Sequence, residues 1–239
     1  MNIKNRIYIT GDTHAPIDIQ KLSISAFPQG EDLTKDDMLI ICGDCGLVWN
    51  NSSEELECRH WVNARPFTTL FVDGNHENFT LLNRFKISEW NGGKVHFITD
   101  SVIHLMRGQV YSINGVKFFT MGGANSIDKM SRKRNISWWP EEMPSKAEYN
   151  EAIRNLEKHD YTVDYIITHA APDSIMSQFF PKHDDELELN RFLEYIKNNA
   201  QYKHWYFGHL HFDMNIDNKH TVLYEKIALL PSFSSDDNY

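Results

Sequence analysis

Five short polar blocks hold the residue types that could do chemistry. They are Asp12-Thr13-His14, Gly43-Asp44, Gly74-Asn75-His76-Glu77, Thr168-His169 and Gly208-His209-Leu210-His211. Carboxylate, imidazole and amide oxygens are what a pair of divalent transition metals needs around it. Asp12 and His14 are two residues apart, as are His209 and His211. In an extended chain such pairs face the same way, so each can offer two ligands to one locus. Asp44 has two oxygens and can bridge two ions, and Asn75 offers a neutral amide oxygen. Imidazole with carboxylate suits Mn²⁺, Fe, Zn²⁺ or Co²⁺ and fits Ca²⁺ or Mg²⁺ alone poorly.

These blocks must be carried by strands. Four of them end apolar runs that read as buried strands, at residues 3–10, 38–42, 70–72 and 165–167, and the fifth follows residues 204–207. In the first half, strand-like runs alternate with helix-like ones at 53–64, with Ser52 or Ser53 as N-cap, and at 78–85. That alternation favours right-handed βαβ units and parallel pairing. The middle changes character. Short β segments at 95–97, 102–106, 109–113 and 116–121 follow one another, and Asn114-Gly115 is a hairpin signal. Residues 122–145 have no clear period and read as an ordered excursion near the site. Ser145 and Glu148 have capping-box spacing at the head of a helix to about 159. A second long helix is expected over 184–200, with Asp184-Asp185-Glu186 as its acidic first turn. Closing strands are expected at 203–207 and 221–229.

The ordered blocks resemble one family, the calcineurin-like metallophosphoesterases, whose pattern D-x-H, G-D, G-N-H-[D/E], H, G-H-x-H is matched from Asp12 to His211. The resemblance implies a four-layer α/β/β/α sandwich with two mixed β-sheets. It implies that Asp12, His14 and His211 hold one ion, that Asn75, His169 and His209 hold the other, and that Asp44 bridges them. Two such ions, about 3.5–4 Å apart, clamp the attacking and leaving oxygens of an in-line displacement and supply a bridging hydroxide. It further makes His76 the group that stabilises the transition state or protonates the leaving oxygen, work suited to an imidazole near its ordinary pKa of about 6.5. Two departures stand out. Many members read G-D-x-x-D, with the second Asp supporting the histidine, where this chain has Leu47-Val48 after Gly43-Asp44-Cys45-Gly46. The protein-phosphatase branch usually has Arg before G-N-H-E, where this chain has Asp73. The expected activity is therefore phosphoester hydrolysis with two divalent ions, manganese first and iron, zinc, nickel or cobalt as alternatives. A phosphodiesterase is favoured over a phosphomonoesterase acting on proteins or nucleotides. A nuclease and a non-catalytic metal-binding scaffold are the remaining alternatives.

The bulk of the sequence is compatible with this. At 239 residues, 41% of them hydrophobic, the chain can form one large domain over 1–239. A formal charge of −9 argues against tight binding of a long nucleic-acid duplex. No apolar run is long enough for a membrane span, and no N-terminal signal pattern is visible. With only Cys42, Cys45 and Cys58, a disulfide framework is not expected, and a cytoplasmic location is. Cys42 and Cys45 have the spacing of a redox or zinc pair, but without a second pair they read as small residues at a strand end. In the one basic cluster, Arg132 and Arg134 are candidate substrate-binding residues, able to grip a phosphate beside Ser126 and Asp128. Trp138 and Trp139 read as packing rather than base-stacking residues. The remaining histidines, 60, 96, 104, 159, 183, 204 and 220, read as surface or packing groups, with His183 able to border the substrate. The oligomeric state is not legible.

Overall fold

A computed structural model describes residues 5–180 and 187–231. Its strands and helices run in the order β1 (Ile7–Thr10), β2 (Met38–Ile41), α1 (Ser53–Asn63), β3 (Thr68–Phe71), α2 (Phe79–Leu82), β4 (Ile87–Trp90), β5 (Gly93–Phe97), β6 (Val102–Leu105), β7 (Gln109–Ile113) and β8 (Val116–Met121). There follow α3 (Lys146–Glu157), β9 (Tyr165–Thr168), α4 (Asp173–Met176), α5 (Leu187–Asn199), β10 (His204–Phe207), β11 (Met214–Asn215), β12 (His220–Val222) and β13 (Ala228–Leu229). The first sheet has the order β13-β1-β2-β3-β6-β5-β4, and the second β11-β12-β10-β9-β8-β7. Both are mixed, as expected. β1, β2, β3 and β6 are parallel in one, and β8, β9, β10 and β12 in the other, with antiparallel strands at the edges.

The alternation of side chains along each strand builds the layers. Ile7, Ile9, Ile40 and Leu70 of the first sheet meet Tyr111, Phe118, Tyr165 and Ile167 of the second in one apolar core between the sheets. Their neighbours Tyr8, Leu39, Ile41 and Phe71 point outward and pack under Val62 of α1 with Phe27 and Phe67. On the far side, Phe119, Ile166 and Trp205 pack under Ala152 and Leu156 of α3 and Leu193 and Ile196 of α5. The result is helix, sheet, sheet, helix. With both faces covered, the central strands read as unbroken apolar runs such as Met38-Leu39-Ile40-Ile41.

Local signals act where they were expected. The Ser52 side chain accepts from the Glu55 backbone N–H at the head of α1, and Ser145 and Glu148 form a full capping box at α3. Asn114 (φ 55°) and Gly115 (φ 79°) turn the β7–β8 hairpin. Two features depart from what the sequence suggested. The strand β4 pairs with β5 but was not foreseen, because Ile87-Ser88-Glu89-Trp90 is a half-exposed edge with no buried apolar run. The single closing strand expected over 221–229 is two strands in different sheets. β12 pairs with β10, whereas β13 crosses over to pair with β1, and the short β11 pairs with β12. A chain that changes sheets keeps its apolar pattern, so periodicity alone does not reveal the crossing. The expected start of the second long helix and its acidic turn, together with His183, lie outside the described residues. α5 is described from Leu187.

Candidate active site

The parallel strands of both sheets point their carboxyl ends at one cleft, and each polar block sits in the turn just beyond a strand. The turns are tight. His14 (φ 34°), Asp44 (φ 48°), His209 (φ 70°) and His211 (φ 53°) all adopt left-handed backbone, which costs a non-glycine residue about 1–2 kcal/mol. The pairs Asp12/His14 and His209/His211 therefore do not converge by extended-chain alternation, the reason inferred from spacing. They converge because the backbone turns back on itself after each strand. Two glycines make room for this. A Cβ at Gly74 would lie against Asp44 Oδ1 and His169 Nε2, and one at Gly208 against Asp12 Oδ1.

All seven residues singled out as possible ligands come together. Nitrogen and oxygen atoms of Asp12, His14, Asp44 and His211 lie within 4.8 Å of one another. Asp12 is fully buried. Its Oδ1 accepts from the His209 backbone N–H at 3.0 Å, and its Oδ2 lies 3.1 Å from His211 Nε2 with no hydrogen-bond partner. A buried carboxylate oxygen without a hydrogen bond costs several kcal/mol unless a cation meets it, so the donor set fits a bound metal. Asp44 Oδ2 stands between two imidazoles, 3.3 Å from His14 Nε2 and 3.4 Å from His169 Nε2. Beyond it, Asn75 Oδ1 lies 3.3 Å from His169 Nε2, and the His169 and His209 rings are 4.9 Å apart.

The electrostatics say what is missing in the protein alone. Burial works against the charges of Asp12 and Asp44, yet the neighbouring imidazoles, His169 foremost, hold both carboxyls below their usual range. In return, despite burial, Asp44 and Asp12 raise His14 to about 9 and His169 to about 10. Burial and then His169 push His209 down to about 4. Two buried carboxylates thus hold protons on nearby imidazoles, in the place where a metal would hold positive charge.

Several supporting residues were not visible in the sequence. Asp18 Oδ2 accepts from His14 Nδ1 at 2.8 Å and from the Tyr224 hydroxyl at 3.1 Å, and the Tyr224 ring stacks on His211. The only signal was a carboxylate four residues after His14. Buried Lys21 donates to the carbonyls of Gly11, Asp12 and Tyr224, tying the first turn to the crossover strand region. Cys42 contributes its carbonyl, which accepts from His169 Nδ1 at 2.7 Å and turns Nε2 toward the cleft. Its thiol and that of Cys45 are buried and pushed up, as expected of packing groups. Glu77 accepts from the backbone N–H groups of Cys45 (2.8 Å) and Gly74 (2.6 Å), fastening two ligand turns to each other. His96 and His104 are buried, and His104 Nε2 lies 3.1 Å from Asp73 Oδ1.

A cavity of about 450 Å³ opens over Asp44, Asn75 and His76. Arg132 lines it and lies 3.5 Å from His76 Nε2, while Arg134 is exposed and is not among the lining residues. The opposite wall is largely apolar, with Met176, Phe180, Leu187 and Leu210. Trp139 is buried and donates to Thr80, and it packs against Trp49.

The sequence matches the model of the calcineurin-like phosphoesterases over residues 5–213. The chain belongs to this family. None of the curated proteins matches this phosphoesterase in sequence. Among solved structures it is similar in fold to a Staphylococcus aureus protein described as a 5′-nucleotidase, in complex with α-ketoglutarate. The TM-score is 0.51 at 14% identity, over 92% of this chain and 48% of that one. The phosphoesterase chain thus spans about half of that neighbour. Among the described residues, no helix is long and apolar enough to cross a membrane.

Proposed function

We propose that this phosphoesterase holds two divalent ions, manganese first among the candidates, and hydrolyses small organic phosphate esters, with diesters favoured. Asp12, His14 and His211 would hold one ion, Asn75, His169 and His209 the other, with Asp44 shared. The observation that carries this reading is the position of Asp44 Oδ2, within 3.3 Å of an imidazole of one set and 3.4 Å of an imidazole of the other. When bound, such ions lower the pKa of a shared water and offset charge on the phosphoryl oxygens. The chain itself supplies orientation. Asp44 accepts from the His76 backbone N–H at 2.8 Å through its other oxygen, so the shared carboxylate also fixes where His76 stands. His76 is the group placed to pass a hydrogen bond or proton to the leaving oxygen. Burial lowers its pKa, with Asp44 opposing and Arg132 adding, which favours the neutral ring until a phosphate enters. In place of the family's supporting Asp, Arg132 reaches Nε2, and its guanidinium faces the same cavity, suited to a phosphoryl oxygen.

The missing protein-phosphatase arginine and the apolar cavity wall support a small organic ester over a phosphoprotein. The monoester alternative has support in the description of the structural neighbour as a 5′-nucleotidase. Metal-stripped protein reloaded with Mn²⁺ and given bis-p-nitrophenyl phosphate beside p-nitrophenyl phosphate separates the readings. Faster diester cleavage is the expected result. Monoester preference would move the assignment to phosphomonoesters, and no cleavage of either with two ions bound would leave a scaffold.

A further inference from the structure

An asparagine side chain can present either oxygen or NH₂ to a given point, since the two ends have nearly the same shape. Only the oxygen can hold a cation. Asn75 Nδ2 donates to Ser126 Oγ at 3.1 Å, while Oδ1 faces His169 Nε2. What holds the NH₂ end is the oxygen of the Ser126 hydroxyl, which accepts from it. Glu142 Oε2 accepts from the Ser126 backbone N–H at 3.2 Å, which fixes where the Ser126 hydroxyl stands. An acceptor oxygen held at that point favours the NH₂ end of Asn75 and leaves its amide oxygen for the cleft.

Glu142 is itself fixed. Arg107 Nη2 donates to the carbonyls of Glu141 (2.9 Å) and Glu142 (3.3 Å), and the same guanidinium grips Asp73 Oδ2 through Nε at 2.7 Å and Nη2 at 2.5 Å. Asp73 precedes Gly74-Asn75, so the bonds Asp73–Arg107–Glu142–Ser126–Asn75 close a ring. Asp73, Arg107, Ser126 and Glu142 are all buried, which keeps the ring from trading its bonds for water.

We propose that Ser126 and Glu142 are positioning residues that preset the Asn75 amide oxygen for the ion held with His169 and His209. This rests on the reading of Asn75 as a ligand. The test is Mn²⁺ titration of metal-stripped protein by calorimetry, alongside melting of the stripped protein. Outer residues that orient ligands typically contribute about 10- to 100-fold in metal affinity. Ser126→Ala is expected to weaken one ion by that factor, leave the other ion and the stripped melting temperature unchanged, and be rescued by Ser126→Thr. Glu142→Ala should do the same without touching Asn75, and Glu142→Gln, which keeps an acceptor oxygen, should retain affinity. If Asn75→Ala weakens an ion while Ser126→Ala and Glu142→Ala titrate like wild type, the positioning role is wrong and the ligand reading stands. If Asn75→Ala itself titrates like wild type, both fall. Equal weakening of both ions with a lowered melting temperature would make the ring merely structural and overturn the proposal.

Discussion

The two halves of the proposed metal centre are built differently. The half with Asp12, His14 and His211 opens to solvent. The His211 side chain is 52% exposed, and its support comes from Asp18 and Tyr224 near the rim. The half with Asn75, His169 and His209 is held from within. His169 is fully buried, fixed by the Cys42 carbonyl, and Asn75 is fixed by Ser126. A ligand on a rim can be released and recaptured at little structural cost, whereas one embedded between two sheets is also part of the core. One half of the centre should therefore behave as an exchangeable site and the other as part of the fold.

The largest expected effect erases the comparison altogether. Asp44→Ala removes the oxygen that both halves share, and turnover on a phosphoester substrate should be abolished with both ions weakened. Retained activity in this variant would sink the two-ion arrangement. Next, His76→Ala should leave both metal affinities intact and lower kcat by about 10²–10⁴-fold, the usual scale for a positioned acid. Loss of metal in this variant would contradict its role.

The contrast itself is tested by His169→Ala against His211→Ala. Removal of His169 leaves a cavity and an unpaired carbonyl, so the metal-free protein should lose about 1–3 kcal/mol of stability as well as metal. Removal of the half-exposed His211 should weaken metal binding while metal-free stability stays within about 0.5 kcal/mol. Equal losses in urea melts would refute the distinction. Asp18→Asn keeps the shape of the rim support but removes its charge, and should cost about 10-fold in affinity for the exposed ion alone.

The last effect concerns pH. His14 and His169 have pKa values raised to about 9 and about 10 in the metal-free protein, above the ordinary imidazole value of 6.5. A group whose pKa is raised by folding stabilises below its unfolded pKa and loses that contribution as pH climbs through the folded one. Metal-free protein should therefore melt lower as pH rises from about 7 to about 9.5, and Asp44→Asn should flatten the trend. A flat wild-type profile would show that these protons do not offset the carboxylates.

Much of this was legible in the residues. The strand runs, the capping box at Ser145 and the order of the five blocks are local or composition-level signals, and the family match over residues 5–213 agrees with them. The β11–β13 segment was not legible, since pairing with one sheet or the other leaves the same apolar pattern. Nor were Asp18, Lys21, Tyr224 and Glu142, which are chemically ordinary residues until the fold brings them against the turns.

The sequence by itself determined which side chains are offered and that each follows a strand, because residue type and strand-forming runs are written locally. The tertiary structure alone decided how they meet. Left-handed turns at His14, Asp44, His209 and His211, glycines admitting neighbours at Gly74 and Gly208, and hydrogen bonds linking residues far apart in the chain set the distances. Such contacts depend on two sheets closing over a common core, a long-range packing event that no short window of sequence encodes.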